Sequence, residues 1–153
     1  MIFLVVNFSM PKMTKFILGT FIVFVASGWQ NAFAIHVSIY EPRVPKEILE
    51  EVQEIENPYP ATEEQIEAGR KIYFGKGLCV TCHSKDGRGV IVPGHSPRNL
   101  TDAKWQEIRT DGELMWVLRN GSPGTGMPVR VGKVITEKEG WSVINFVRTF
   151  AGK

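Results

Sequence analysis

Two cysteines and a histidine within five residues constrain this chain more than any other feature of its sequence. Cys79 and Cys82 are the only cysteines among the 153 residues, and His83 follows directly. On a helical turn, residues i and i+3 face the same side, so both thiols are directed at one partner and the imidazole lies beside them. The fold must therefore present three chemically reactive side chains from a single short turn.

This spacing is that of a c-type haem attachment sequence. The two thiols can add to the two vinyl groups of one porphyrin while the imidazole is aimed at the iron. A structural zinc site would require four ligands, and the chain adds only His36 and His95. A thioredoxin-like pair would lie near a βαβ pattern, which is missing, and a disulfide would leave His83 unexplained. The motif predicts one covalent haem c with His83 as an iron ligand.

A second segment is suited to closing the position that remains open on an iron held by one histidine. The loop 120–128 contains three glycines that let the backbone curl close to a porphyrin face, and Pro128 stiffens its exit. Met127 lies in this loop and is the predicted sixth ligand, since Met/His ligation is typical of electron-transfer haems. Met115 is interpreted as core filler, and His95 is the rival ligand.

The N-terminus has the features of an export signal. Lys12 and Lys15 precede an apolar run at residues 16–29, and small residues around Ala34 offer a cleavage site. The run is shorter than the roughly 20 apolar residues of a spanning helix. We therefore expect a signal peptide over residues 1–34, cleaved after Ala34, and a periplasmic or otherwise exported protein. A membrane anchor is the competing interpretation.

The remainder of the chain consists of an acidic segment followed by a basic one. Residues 35–68 carry two basic side chains against nine glutamates, whereas residues 69–153 carry 14 basic side chains against seven acidic ones. Prolines and acidic residues indicate that residues 35–60 form an arm outside the core, which leaves residues 61–153 as the globular domain. The basic part would be steered toward an acidic patch on a partner. The acidic arm could shield that part or bind a different partner.

Helical patterning covers the predicted domain, and no strand signal of useful length is present, so the expected fold class is all α. Capping-box signatures mark two helix starts. The predicted helices run from Thr62 to about Gly75, from Thr101 to Ile108, from Gly112 to Asn120 with Asp111 as N-cap, and from Thr136 through Phe150. Residues 46–56 could add about three acidic turns.

The order of these features resembles the class I monohaem cytochrome c family over Thr62 to Phe150. The shared order is an N-terminal helix, the Cys-x-x-Cys-His motif, a loop, a methionine loop and a C-terminal helix. The resemblance implies a cytochrome c-like fold of three to five helices around one covalently bound haem. Gly69 and Tyr73 look like the small residue and aromatic with which the family's first helix crosses its last, which would place Phe146 opposite Tyr73.

The resemblance also implies contacts around the haem. Pro97 to Leu100 looks like the family's Pro-x-Leu stretch, in which a proline carbonyl accepts the free N–H of the ligand histidine. Pro97 and Leu100 are therefore predicted cofactor-binding residues, with Pro93 as the fallback. Arg98 and Arg109 are candidates to pair with the haem propionates. The candidate wall positions are Leu100, Trp116, Val117, Trp141 and Phe146.

The function implied by the resemblance is electron transfer rather than enzyme catalysis. One haem would pass single electrons between periplasmic or membrane-associated protein redox partners, either as a soluble carrier or as a haem subunit of a larger respiratory oxidoreductase. The alternative is a gas-binding or sensor haem, in which Met127 is displaceable or absent from the iron. The sequence contains no nucleophile–base constellation, phosphate loop or nucleic-acid motif, so neither nucleic acid nor a small-molecule substrate is expected as a partner.

Overall fold

The structure, a computed structural model, describes residues 40–90 and 96–153. The predicted signal peptide lies outside the described residues, as do His36, Pro93 and His95. Contacts divide the chain into Met1–Glu41, of which only two residues are described, and Pro42–Lys153, whose fold follows.

Helices dominate the described residues, which contain no strand and one isolated bridge between Val131 and Ile135, so the all-α prediction is confirmed. None of the helices in this part of the chain is long and apolar enough to cross a membrane. In chain order they are a 3₁₀ turn at Lys46–Ile48, α1 (Leu49–Gln53), α2 (Glu63–Phe74), α3 (Val80–His83), α4 (Ala103–Ile108), α5 (Asp111–Asn120) and α6 (Glu137–Arg148).

Side-chain hydrogen bonds cap the starts of the two longest described helices, α2 and α6. The Thr62 hydroxyl accepts a hydrogen bond from the Gln65 backbone N–H at the start of α2. At the start of α6, Thr136 and Glu139 form the complete capping box that the sequence predicts. The Gln65 side chain is used differently from the prediction, because its Oε1 accepts from the Ser142 hydroxyl of α6 at 2.8 Å. The Gln65 side chain therefore links the first turn of α2 to α6.

Helix α5 begins one residue before its predicted start. Thr110, not Asp111, is the N-cap, and it forms a complete capping box with Glu113. The Asp111 carboxylate instead pairs with Arg148 of α6 at 2.7 Å. Because the Asp111 carboxylate is paired with Arg148, the cap of α5 is supplied by Thr110 instead.

The backbones of α2 and α6 are in direct contact where the helices cross. A Cβ added at Gly69 would lie 1.9 Å from the Ser142 carbonyl oxygen and 3.0 Å from the Phe146 Cβ. One turn further along α2, the Tyr73 ring packs edge-on against Phe146, with centroids 5.2 Å apart. The predicted pairing of Tyr73 with Phe146 is confirmed, and it requires glycine at position 69.

Two apolar clusters flank α6, and the helix contributes side chains to both. Cluster 1 consists of Tyr73, Leu100, Val143, Phe146, Val147 and Phe150. Cluster 2 consists of Met115, Leu118, Trp141 and Ile144. Because the apolar positions of α6 occupy two adjacent faces, one helix supports both halves of the core.

The acidic segment Pro42–Pro60, here called the acidic strap, packs on the domain although the sequence suggests an arm outside the core. Val44 and Val52 are 3% and 6% exposed. Two buried valines among many glutamates give no usable periodicity, and the polar contacts that hold the strap join residues more than 80 positions apart. The boundaries at residues 34 and 60 remain predictions.

Replacing Gly69 with alanine should destabilise the fold by about 3 kcal/mol, because the added methyl group overlaps backbone that cannot move without separating α2 from α6. Chemical denaturation of the two proteins would measure the difference. Lys71→Ala, on the exposed side of the same helix, is the control and should change little. Equal stability of Gly69→Ala and the unmodified chain would contradict the close crossing.

Candidate functional site

The two cysteines and the histidine lie on one short helical turn, α3. Cys79 is its N-cap, and its carbonyl accepts from the His83 N–H at 2.9 Å. The turn is bracketed by two non-glycine residues with positive φ, Leu78 at 54° and Ser84 at 62°. Such conformations cost free energy and persist only where the surroundings impose them. The chain is therefore bent into and out of this turn by contacts elsewhere.

One of those contacts comes from the core. The Tyr73 hydroxyl donates to the Ser84 carbonyl at 2.8 Å. Burial raises the pKa of Tyr73 above its usual range, so the hydroxyl remains a neutral donor. A buried tyrosine of cluster 1 thus holds the backbone directly after the motif, a contact that the sequence analysis did not predict.

The His83 ring is fixed by a backbone carbonyl, although not by the predicted one. Its Nδ1 lies 3.1 Å from the carbonyl oxygen of Arg98. The Pro97 carbonyl instead points toward Gly89, where an added Cβ would lie 3.2 Å from it. The predicted role of the Pro97 carbonyl therefore belongs to that of the next residue, Arg98.

This hydrogen bond fixes the tautomer of the His83 ring. A carbonyl can only accept, so Nδ1 carries the proton, and in the neutral ring Nε2 keeps its lone pair. Burial is the largest influence on the ring and lowers the pKa of His83, which favours the neutral imidazole. A neutral, oriented imidazole with a free nitrogen is the form that binds a metal.

The two thiols differ in exposure. Cys79 is half-buried against cluster 1 and Cys82 is exposed, and both are free. Burial raises the pKa of Cys79 to about 11, so it is a neutral thiol at physiological pH. One thiol is therefore anchored in the fold while the other faces outward from the same turn.

Met127 lies in a loop closed by its own hydrogen bonds. Its carbonyl accepts from the Ser122 N–H at 3.1 Å, and its N–H donates to the Thr125 hydroxyl at 3.2 Å. Gly121 has φ 74°, and a Cβ there would lie 2.8 Å from the Met127 carbonyl oxygen. The side chain is half-buried and packs on cluster 2. The loop thus holds Met127 in a defined place.

Arg130, at the exit of this loop, acts electrostatically on the Cys-x-x-Cys-His turn. Its charge opposes part of the rise that burial causes in the pKa of Cys79, and it adds to the lowering that burial causes in the pKa of His83. The Arg130 N–H donates to the Leu118 carbonyl at 2.8 Å, which ties the same residue to α5. Sequence reasoning missed Arg130, because nothing in its local pattern distinguishes it from other surface cations.

The remaining predicted residues divide into core and surface positions. Leu100 and Phe146 belong to cluster 1 and Trp141 to cluster 2, whereas Trp116 and Val117 are half-buried. Arg98 lies over the Trp105 ring at 5.8 Å.

Arg109, the other candidate partner of the haem propionates, is buried and has an acidic partner within the protein. It is 8% exposed and bonds Glu113 at 2.6 Å. A buried arginine requires such a partner, so this pair belongs to the structure of α5 and its preceding turn.

The donor set fits a covalently attached haem. Cys79 and Cys82 could supply two sulfur attachment points, His83 offers a neutral nitrogen, and Met127 offers a thioether sulfur from a loop closed by its own hydrogen bonds. A thioether is a soft donor of the kind that suits haem iron. Within residues 40–90 and 96–153, no three side chains of His, Cys, Asp and Glu are grouped to hold a metal ion.

Comparison with protein families gives a match to the model described as cytochrome c oxidase, cbb3-type, subunit III, over residues 64–147, more than half of the chain. The matched part runs from the first turn of α2 almost to the end of α6 and includes every candidate ligand. The acidic strap lies before it. Neither the curated proteins nor the solved structures gave a match.

Replacing Tyr73 with phenylalanine should destabilise the domain by about 2 kcal/mol, because the Ser84 carbonyl loses its buried donor while the ring packing is kept. Thr81→Val is the matched control, since it removes a hydroxyl that donates to the Leu78 carbonyl on the exposed side of the motif. Thermal unfolding of both variants would compare the two bonds. Equal losses would show that the buried bond does not anchor the turn.

Proposed function

This chain belongs to the family described as cytochrome c oxidase, cbb3-type, subunit III, and we propose that it is a monohaem cytochrome passing single electrons between protein redox partners. Membership identifies a c-type cytochrome domain of electron transfer, and the family implies covalently bound haem c. The proposal adds the number of haems, which is one, and the residues that hold it. Those residues are Cys79 and Cys82 as attachment points and His83 and Met127 as iron ligands.

The observation that carries this proposal is the state of His83. Its Nδ1 is engaged by the Arg98 carbonyl, and burial keeps the ring neutral, so Nε2 is available in a fixed direction. The two thiols lie on the same turn. A histidine oriented in this way is suited to be a permanent ligand, because the hydrogen bond restrains rotation of the ring and burial disfavours its protonation.

The Met127 loop favours electron transfer over gas binding. A gas-binding haem requires a sixth position that opens, whereas this loop is closed by two hydrogen bonds and packs its methionine on a buried cluster. Met/His ligation raises the potential of haem iron. When bound, the haem supplies an iron that accepts and releases one electron.

The chain's own contribution is to hold the ligands still. Tyr73 and the Arg98 carbonyl restrain the histidine side, and cluster 2 restrains the methionine side. Ligands that occupy the same positions before and after transfer keep reorganisation small, which favours fast exchange with a partner. This role requires no nucleophile or general base, consistent with a protein that is not itself an enzyme.

We further propose that the protein is exported and acts as a haem subunit docked in a respiratory oxidoreductase. The export signal predicted from Lys12, Lys15 and Ala34 supports the first part, and the family description supports the second. A soluble carrier is the close variant. The basic residues that follow position 69 would be attracted to an acidic docking patch on a partner.

Met127→Leu should abolish the methionine sulfur-to-iron band in the near-infrared spectrum of the ferric holoprotein and lower the reduction potential, because the thioether is lost. Met115→Leu is the control: it changes a buried methionine of cluster 2, and we expect the band to remain. Protein produced with a c-type maturation system would be used for both variants.

Persistence of the band in Met127→Leu would assign the sixth position to another residue. A covalent haem without the band in the unmodified protein would point instead to a gas-binding or sensor haem. Mass spectrometry of the denatured holoprotein should show one haem retained, which tests the attachment separately from the ligation.

The docked form predicts that haem from a detergent extract of native membranes elutes with a species much larger than the 17.2 kDa chain. Size-exclusion chromatography at low and high salt would measure this, since an electrostatic association weakens with ionic strength while a large apolar interface does not. Elution of all the haem near the mass of the chain at both salt concentrations would favour the soluble carrier.

A further inference from the structure

The acidic strap, Pro42–Pro60, has no part in the function derived so far. It precedes the family match at residues 64–147. Nevertheless it contains the 3₁₀ turn, α1 and two buried valines, and it is held to the domain by several independent contacts. A segment seated in this way must affect whatever it is packed against.

The first attachment joins the strap to α5. A Cβ at Gly112 would lie 2.0 Å from the Val52 carbonyl oxygen and 2.9 Å from that of Ile55. The strap backbone therefore rests directly on the first turn of α5. Only glycine at position 112 permits this approach, because any side chain would overlap the strap carbonyl.

The second attachment is a pair of reciprocal amide hydrogen bonds to α6. Asn57 Nδ2 donates to Asn145 Oδ1 at 3.0 Å, and Asn145 Nδ2 donates to the Tyr59 carbonyl at 3.1 Å. Asn57 Nδ2 also lies 3.3 Å from the Trp141 carbonyl. Asn145 is 5% exposed, so these bonds satisfy a buried amide. They fix Tyr59 over α6.

Tyr59 then packs against cluster 2, the cluster against which Met127 also packs. The Lys138 ammonium lies 5.6 Å from the centre of the Tyr59 ring and covers it from outside. Protein interiors are close-packed, so a void left by one side chain of such a cluster is shared by its neighbours. Methionine, with three rotatable bonds, responds readily to such a void.

We infer that the acidic strap is a positioning element for Met127, in which Tyr59, held by the Asn57–Asn145 pair, keeps cluster 2 in the packing that supports the methionine loop. Tyr59 and Asn57 are positioning residues and do not contact the haem iron. The inference rests on the proposed function in one respect, namely that Met127 is the sixth ligand. According to this inference, the strap makes Met127 harder for a competing ligand to displace from the iron.

The test is an imidazole titration of the ferric holoprotein, followed by loss of the methionine sulfur-to-iron band. In Tyr59→Ala and Asn57→Ala, the band should disappear at imidazole concentrations on the order of tenfold lower than in the unmodified protein, a size common for coupled sites. Tyr59→Phe retains the ring and should behave like the unmodified protein. Each variant is also checked for thermal unfolding.

Val147→Ala is the matched control, since it removes apolar volume from the same helix but from cluster 1. It should unfold at a lower temperature while its band titrates normally. An equal shift in Val147→Ala, or normal titration in folded Tyr59→Ala and Asn57→Ala, would overturn the inference. If Tyr59→Ala does not fold, Asn57→Ala decides alone. Absence of the band in the unmodified protein would reject Met127 ligation itself, and the inference with it.

Discussion

The contact between the backbones of α2 and α6 at Gly69 is the constraint on which the rest of the structure depends. The absence of a side chain there brings Phe146 onto Tyr73, and the buried Tyr73 hydroxyl then reaches the Ser84 carbonyl. The turn that carries Cys79, Cys82 and His83 is thereby held from the core. A wider crossing would separate these rings and remove the donor from that turn.

Helix α6 transmits this constraint to both sides of the candidate site. Its residues Val143, Phe146 and Val147 belong to the cluster against which Cys79 packs, and Trp141 and Ile144 belong to the cluster against which Met127 packs. One proposed iron ligand lies on the α3 turn and the other in the Met127 loop, yet both segments pack against clusters to which α6 contributes. This arrangement suits a centre whose ligands must not move when an electron arrives.

Much of this structure can be predicted from short sequence patterns and from the family resemblance. The capping box at Thr136, the Tyr73–Phe146 pairing and the all-α fold follow from patterns read over a few residues or from the family resemblance. The misplaced details depend on distant partners. Asp111 pairs with Arg148 instead of capping α5, and the carbonyl of Arg98, rather than that of Pro97, bonds His83.

The acidic strap shows the same limit more strongly. Its glutamates dominate its composition, whereas its attachment depends on Asn57, whose partner Asn145 is 88 positions away. Neither asparagine stands out in the sequence, and Gly112 acquires its meaning only once the Val52 carbonyl is seen against it. Close backbone approaches and buried amide pairs leave no periodic trace, so they become visible only in three dimensions.

The sequence distance between Tyr73 and the aromatics that pack against it also determines when, during chain synthesis, Tyr73 can become buried. Phe146 and Phe150 follow Tyr73 by more than 70 residues, so Tyr73 cannot be enclosed, nor the Ser84 carbonyl anchored, before both aromatics have been synthesised. Until then the turn with both thiols has no support from the core. The cysteines thus remain accessible to chemical modification until those two aromatics are in place.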